Sequence, residues 1–128
     1  MALVKIYSES NETEQIKSTA KTIKLITSAA LDCSEVPTKP SQIETVMGQG
    51  LDLIGIDYIL EIVACERSNM QKIGNEIISG LNAVYPDMLF SVYFNIINDE
   101  GMAATPRKHI DDEPVSMDEA IRQSKEKI

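Results

Sequence analysis

The chain has 128 residues, of which 43% are hydrophobic and 25% charged, and this composition supports one globular domain with a compact core. Its net charge of −8 would be repelled by phosphate groups, so the sequence predicts no nucleic-acid partner and no binding to anionic membrane surfaces. We find no apolar run long enough to span a bilayer and no secretory signal pattern.

The cysteines and the single histidine limit the chemistry of the chain. Cys33 and Cys65 are far apart in sequence, which matches neither a disulfide framework nor a zinc knuckle and predicts a reducing, cytoplasmic location. His109 stands alone, so a metal site of several imidazoles is excluded. The Gly48-Gln49-Gly50 stretch is a weak phosphate-loop fragment and is expected to be a turn. We therefore expect no metal and no cofactor.

The first half of the chain predicts a strand, a helix and a second strand. Residues 3–7 are apolar and rich in β-branched side chains, which favours a buried strand. Asn11 and Glu14 have the spacing of a capping box, and an apolar stripe at helical spacing then continues to Leu31. After a loop with two prolines, residues 43–47 predict a short strand.

The second half repeats this plan. Residues 56–65 predict a central strand, and Ser68 with Gln71 again has the spacing of a capping box. Apolar residues at helical spacing predict a helix over 70–84, and residues 89–97 predict a further strand.

Two successive β-α-β units predict an α+β fold, namely a four-stranded sheet with two helices on one face. The strands are apolar at successive positions, for example at 59–63 and 89–94, so both faces of the sheet should be shielded from solvent. A second copy of the chain is the only available cover for the other face. The sequence therefore predicts a homo-oligomer.

The composition of the chain changes after residue 110, where an acidic segment precedes a short polar one. We expect a domain over 1–110, followed by an acidic linker and a short C-terminal helix over 111–128. Ser116 and Glu119 have capping-box spacing at the start of this helix. Because its well-spaced apolar residues are few, we expect the helix to pack loosely or against a neighbouring subunit.

Two short motifs resemble a known family. Val92-Tyr93-Phe94-Asn95 in the last strand is similar to a Val-Tyr-x-Asn motif, and Lys39-Pro40-Ser41-Gln42 is similar to a Lys-Pro-x-Gln run before the second strand. Both motifs occur at the corresponding elements in the macrophage migration inhibitory factor branch of the tautomerase superfamily, and the carboxymethyl-hydroxymuconate isomerase branch is similar in length and in the pattern of its last strand. The resemblance covers about residues 2–97.

The resemblance implies a homotrimer whose sites lie between subunits. Lys39 would bind the carboxylate of a small substrate, and Tyr93 and Asn95 would come from the neighbouring subunit, with Tyr93 as a proton donor or as the partner of an oxyanion. Independently of the resemblance, the position of Arg107 near the turn after the last strand predicts a second cation for an anionic substrate. The family uses an N-terminal proline as the base after removal of the initiator methionine, and this position is Ala2. An alanine α-amino group can carry protons only if Met1 is removed.

Two functions follow from these residues. In the first, the chain is a tautomerase-like protein that acts on or binds a small α-keto or enol carboxylate at a subunit interface, with weak or lost activity because the proline is absent. In the second, it is a non-catalytic trimeric ligand-binding or structural module. A ferredoxin-like regulatory domain has the same order of elements, but there a further strand separates the two strands of each β-α-β unit.

Overall fold

The structure, a computed structural model, describes residues 2–9, 13–50, 52–98 and 111–126. Within these ranges every predicted strand and helix is present, with bounds that differ from the expected ones by a few residues. The elements in chain order are β1 (Ala2–Ser8), α1 (Thr13–Leu31), a 3₁₀ helix (Pro40–Gln42), β2 (Ile43–Gln49), β3 (Tyr58–Ala64), α2 (Met70–Val84), β4 (Phe90–Ile96) and α3 (Met117–Glu126). Asn11, the predicted cap of α1, lies outside the described residues.

The four strands form one sheet in the order β2-β1-β3-β4. Strand β1 is parallel to β2, β3 is parallel to β4, and the two central strands, β1 and β3, are antiparallel. Each β-α-β unit therefore has its two strands side by side. This confirms the predicted duplicated arrangement and excludes the ferredoxin-like alternative, in which another strand would lie between them.

One face of the sheet carries the hydrophobic core. Side chains alternate between the two faces of a strand, so every second residue of β1 and β3 points toward the helices. Helix α1 covers these residues with Ile23 and Ile26, and α2 covers them with Ile77 and Leu81, all of which are fully buried. The strand residues buried on this face are Ala2, Val4, Ile6, Tyr58, Leu60, Ile62 and Ala64.

Two local predictions need correction. The cap of α2 is Asn69, not Ser68, because Asn69 adopts a left-handed backbone conformation and its side chain accepts a hydrogen bond from the backbone N–H of Lys72 at 3.2 Å. Gly48 is not a turn residue but part of β2. The ring of Tyr7 lies so close to Gly48 that a Cβ atom there would be 2.5 Å from it, so a larger residue at this position would require the ring to shift.

The face of the sheet opposite the helices, here called the open face, is not uniformly apolar as expected. Apolar residues such as Leu3, Ile59 and Val63 do lie on it, but Lys5 and Glu61 occupy its centre, with 3.9 Å between Lys5 Nζ and Glu61 Oε1. Because Lys5 and Glu61 are aligned on neighbouring strands, their charges offset each other. The open face is thus an apolar surface with a paired charge at its middle.

Helix α3 packs against this chain's own helices, which corrects the expectation of loose packing or packing on a neighbour. It contacts α1 and α2, and Ala120 and Ser124 are almost fully buried there. Small side chains allow this close approach, and Met117 reaches Gly80 of α2. Ser116 accepts a hydrogen bond from the backbone N–H of Glu119, which confirms the predicted cap. No helix in the described ranges is long and apolar enough to cross a membrane.

Candidate functional site

Ala2 is the first residue of β1 and lies beside Ile43, the first residue of β2. Only 2% of its surface is exposed. Because β3 is antiparallel to β1, the strands β3 and β4 end at the side of the sheet where β1 and β2 begin. We call this side, where the strand ends meet, the Ala2 edge; it is distinct from the edge strands β2 and β4.

The loop that carries Lys39 lies at the Ala2 edge, because it leads into β2. The backbone N–H of Lys39 donates to Gln42 Oε1 at 2.9 Å, and the N–H of Gln42 donates back to the carbonyl of Lys39 at 3.0 Å. One residue earlier, the N–H of Thr38 donates to Asp32 Oδ1 at 2.9 Å. These bonds fix the backbone on both sides of Lys39, whose partly exposed ammonium group has no carboxylate within 4 Å in the described part of the chain.

Tyr93 and Asn95 project from β4 on the open face. Tyr93 is 60% exposed and is aligned with Glu61, while Asn95 is exposed and is aligned with Val63. Strand β3 lies between β4 and β1, and two strand spacings correspond to about 10 Å. Within one chain, therefore, Tyr93 and Asn95 do not meet Ala2, and β2 with the Lys39 loop lies one strand further away.

Two grooves on the described part of the chain do not contain the candidate residues. A groove of about 590 Å³ follows the exposed side of α1 and is lined by lysines such as Lys17 and Lys21. A second groove of about 370 Å³ lies between the end of α1 and the start of α2, with Cys33 in its wall. Neither groove touches Ala2, Lys39, Tyr93 or Asn95. Within the described residues, Ala2 and the Lys39 loop thus lie apart from Tyr93 and Asn95, and neither groove connects them.

Arg67 is a residue that sequence reasoning missed. It is 4% exposed, and its guanidinium donates to the carbonyls of Leu31 and Cys65 and to the hydroxyl of Thr38, at 3.2, 2.7 and 3.0 Å. It therefore ties the end of α1 and the end of β3 to the residue before Lys39. No pattern in the sequence marks it, because a lone arginine after a strand is ordinarily exposed.

Two of the remaining residues singled out in the sequence, Arg107 and His109, lie outside the described residues. Among the residues that the structure does describe, no cluster of histidine, cysteine and carboxylate side chains could hold a metal ion. Cys33 and Cys65 are both free thiols.

Among the comparisons with known proteins, only the comparison of structures finds similar proteins. No protein-family model and no curated protein matches the sequence. Macrophage migration inhibitory factor of Toxoplasma gondii is similar with a TM-score of 0.56 and 13% identity, over 82% of this chain and 97% of that chain.

Two further solved structures are similar over most of their length. N1, a member of the cis-3-chloroacrylic acid dehalogenase family, has a TM-score of 0.55 and 19% identity, over 88% of this chain and 85% of that chain. A fused 4-OT described as a symmetric trimer has a TM-score of 0.52 and 11% identity, over 92% and 98%. Identities this low establish the fold and nothing beyond it. Together with the strand order, they identify the architecture of this chain as the tautomerase-superfamily fold, resembling macrophage migration inhibitory factor.

Proposed function

We propose that this chain is a tautomerase-like protein that binds a small α-keto or enol carboxylate at the interface between identical subunits. Its proton-transfer activity is weak or lost because Ala2 stands where the family has its catalytic proline. Lys39 binds the carboxylate of the ligand, Tyr93 and Asn95 of the neighbouring subunit line the site, and Arg107 adds a second cation.

The observation that carries this proposal is the separation of the candidate residues within one chain. Ala2 and the Lys39 loop lie at the starts of β1 and β2, whereas Tyr93 and Asn95 lie on β4, the opposite edge strand. A closed ring that places the β4 edge of one copy against the β2 edge of the next would bring the two halves together.

Exposed apolar residues on both edge strands favour such a ring. Val46 and Met47 of β2 are 44% and 47% exposed, and Tyr93 and Ile96 of β4 are 60% and 43% exposed. Two different apolar edges fit a head-to-tail interface better than a two-fold one, in which each edge would meet itself. The similarity to a fused 4-OT that is a symmetric trimer supports three copies.

The chemistry of the assembled site follows from these groups. The charge of Lys39 attracts the carboxylate, and the Tyr93 hydroxyl donates a hydrogen bond to the carbonyl oxygen as it becomes an enol. A base must remove the proton from the neighbouring carbon. The α-amino group of Ala2, with an ordinary pKa of about 7.7–8.0, serves as that base once Met1 is removed.

A non-catalytic ligand-binding module is the second candidate, and the state of Ala2 favours it. Ala2 is 2% exposed and lacks the ring of proline. While Met1 is attached, the nitrogen of Ala2 is an amide without basicity. In that case the carboxylate site remains while proton transfer is lost.

Substitution of Lys39 tests the binding site. Lys39→Gln should raise KM for phenylpyruvate about tenfold or more, or weaken its binding equally if no turnover occurs, because a hydrogen bond to a charged group contributes about 1.5–3 kcal/mol. Lys125→Gln, at an exposed position of α3, is the matched control and should behave as the unmodified chain. Equal KM and binding for Lys39→Gln and the control would end the assignment.

Intact mass measured on natively expressed protein separates the two candidates. Loss of one methionine together with phenylpyruvate tautomerisation supports the enzyme. Retention of Met1 together with phenylpyruvate binding and no turnover supports the non-catalytic module.

A further inference from the structure

An internal carboxylate is bound beside Lys39. Asp112 Oδ2 accepts the backbone N–H of Ser41 at 2.9 Å, and Asp112 Oδ1 accepts the Ser41 hydroxyl at 2.5 Å. The two residues are 71 positions apart in sequence. Both oxygens of one carboxylate are thus held by two donors of a single residue, in the short charge-assisted geometry of a strong hydrogen-bonded pair.

The position of this contact matters because Ser41 lies at the Ala2 edge. It follows Lys39 by two residues and precedes by two residues Ile43, which lies beside Ala2. Partial burial alone would raise the pKa of Asp112, but the two hydrogen bonds from Ser41 and the charge of Lys39 outweigh this and hold the pKa below its ordinary value. The surroundings of Ser41 therefore stabilise a negatively charged carboxylate.

We propose that Ser41 recognises the carboxylate of the ligand together with Lys39, and that Asp112 occupies this position in the ligand-free chain as a built-in competitor. The inference rests on the proposed function and adds both a specificity-determining residue and a form of autoinhibition to that site. An incoming carboxylate takes over the two donors of Ser41 as Asp112 leaves.

The chain around Asp112 allows this exchange without unfolding. Between Asp112 and α3, which begins at Met117, the backbone has no regular structure, and Glu113, Pro114 and Ser116 are exposed. Helix α3 is held independently, because Ala120 and Ser124 are buried against the other helices. Release of Asp112 therefore breaks its contacts with Ser41 and leaves α3 in place.

Binding of phenylacetate, a simple carboxylate that resembles phenylpyruvate but is not a keto acid, tests the inference, with neutral phenylacetamide as the matched ligand. Affinity is measured by titration calorimetry, and the backbone amide signal of Ser41 is followed by NMR. Asp112→Asn removes the charge of the competitor but keeps an oxygen that Ser41 can still bond. Asp111→Asn makes the same charge change one residue earlier, at an exposed position, and serves as the control.

We expect Asp112→Asn to bind phenylacetate about tenfold more tightly than the unmodified chain, because a competitor that occupies the site lowers the apparent affinity by the fraction of free sites. Asp111→Asn should not change the affinity, and phenylacetamide should not shift the Ser41 signal. Addition of Ser41→Ala to Asp112→Asn should cancel the gain. Thermal unfolding of each variant verifies that it is folded.

Two outcomes would overturn the inference, and they differ in what they say of the proposed function. If Asp112→Asn and the unmodified chain bind phenylacetate equally and the Ser41 signal does not move, Ser41 is not the carboxylate-binding residue, while a loss of binding in Lys39→Gln would still support the proposed function. If no folded variant binds phenylacetate even at millimolar concentration, both the inference and the carboxylate site fall.

Discussion

Thr27 of α1 is fully buried, and its hydroxyl has no hydrogen-bond partner within the described ranges. A buried hydroxyl without a partner loses its bonds to water on folding and gains none in return. We expect Thr27→Val, which replaces the hydroxyl by a methyl group of similar size, to raise the free energy of unfolding by about 1 kcal/mol. Urea unfolding measures this change.

Thr19 provides the matched control for that substitution. It is also buried in α1, but its hydroxyl donates to the carbonyl of Gln15 at 2.8 Å. Thr19→Val should therefore leave the free energy of unfolding unchanged or lower it. If both valine variants gain equally, the gain comes from the added methyl group and not from the unpartnered hydroxyl of Thr27.

The sequence identified few of the individual residues at the candidate site. Lys39 and Tyr93 were found only through short motifs, and their roles stay predictions. Arg67 and the Ser41–Asp112 contact had no signal, because a buried arginine and a hydrogen bond across 71 residues leave no periodic pattern in a sequence. Such contacts exist only once the chain has folded.

Two glycines of α2 allow a test of helix packing. A Cβ atom at Gly80 would lie 2.9 Å from Ile26 Cγ2 and 2.9 Å from Met117 Sδ, whereas at Gly74 the nearest atom is Phe94 Cε2 at 3.3 Å. Alanine is favoured over glycine in a helix by about 1 kcal/mol, but overpacking costs about 1–3 kcal/mol. The β-branched Ile26 cannot move its Cγ2 freely, so Gly80→Ala should be net destabilising.

The comparison of the two alanine variants is made by urea unfolding. Gly74→Ala should stay within about 1 kcal/mol of the unmodified chain, because its propensity gain offsets a small shift of Phe94. A stabilised Gly80→Ala variant would contradict the close packing of α1, α2 and α3 at this position.

At the level of elements, periodicity predicted well where one face of an element is apolar. Helix α2 follows its predicted range, and β1 alternates between buried and partly exposed residues. The prediction for α3 was wrong because a small number of well-spaced apolar residues was taken to mean loose packing. Its buried residues are Ala120 and Ser124, whose small side chains bring the helices close together.

The oligomeric state of the chain tests the proposed ring of identical subunits. The proposed ring predicts that the chain sediments as a trimer at micromolar concentration. Val46→Asp places a carboxylate on the exposed β2 edge beside Lys5, whose charge is already offset by Glu61, so burial of the added charge in an interface would cost about 3 kcal/mol or more. We therefore expect this variant to sediment as a folded monomer.

Gln71→Asp introduces the same charge on an exposed position of α2 and should leave the trimer intact. If the unmodified chain is already a folded monomer at micromolar concentration, the interface and the site proposed there are both wrong. If Val46→Asp remains a trimer, the β2 edge is not part of the contact.

The whole fold was predictable because two repeated β-α-β patterns leave few ways to pair four strands, and the observed order is one of them. The open face was only partly predictable. Lys5 and Glu61 are single charges within apolar strands, and only the antiparallel register of β1 and β3 brings them together.

The central position of β1 has a consequence for how the chain folds. This strand precedes both of its neighbours, since β2 begins at Ile43 and β3 at Tyr58. Helix α1 can form early from local contacts. Strand β1, however, keeps both hydrogen-bonding edges free until the distant strands β2 and β3 pair with it, and such long-range pairing is slow. Unpaired strand edges invite association between chains, so refolding yield should fall as protein concentration rises.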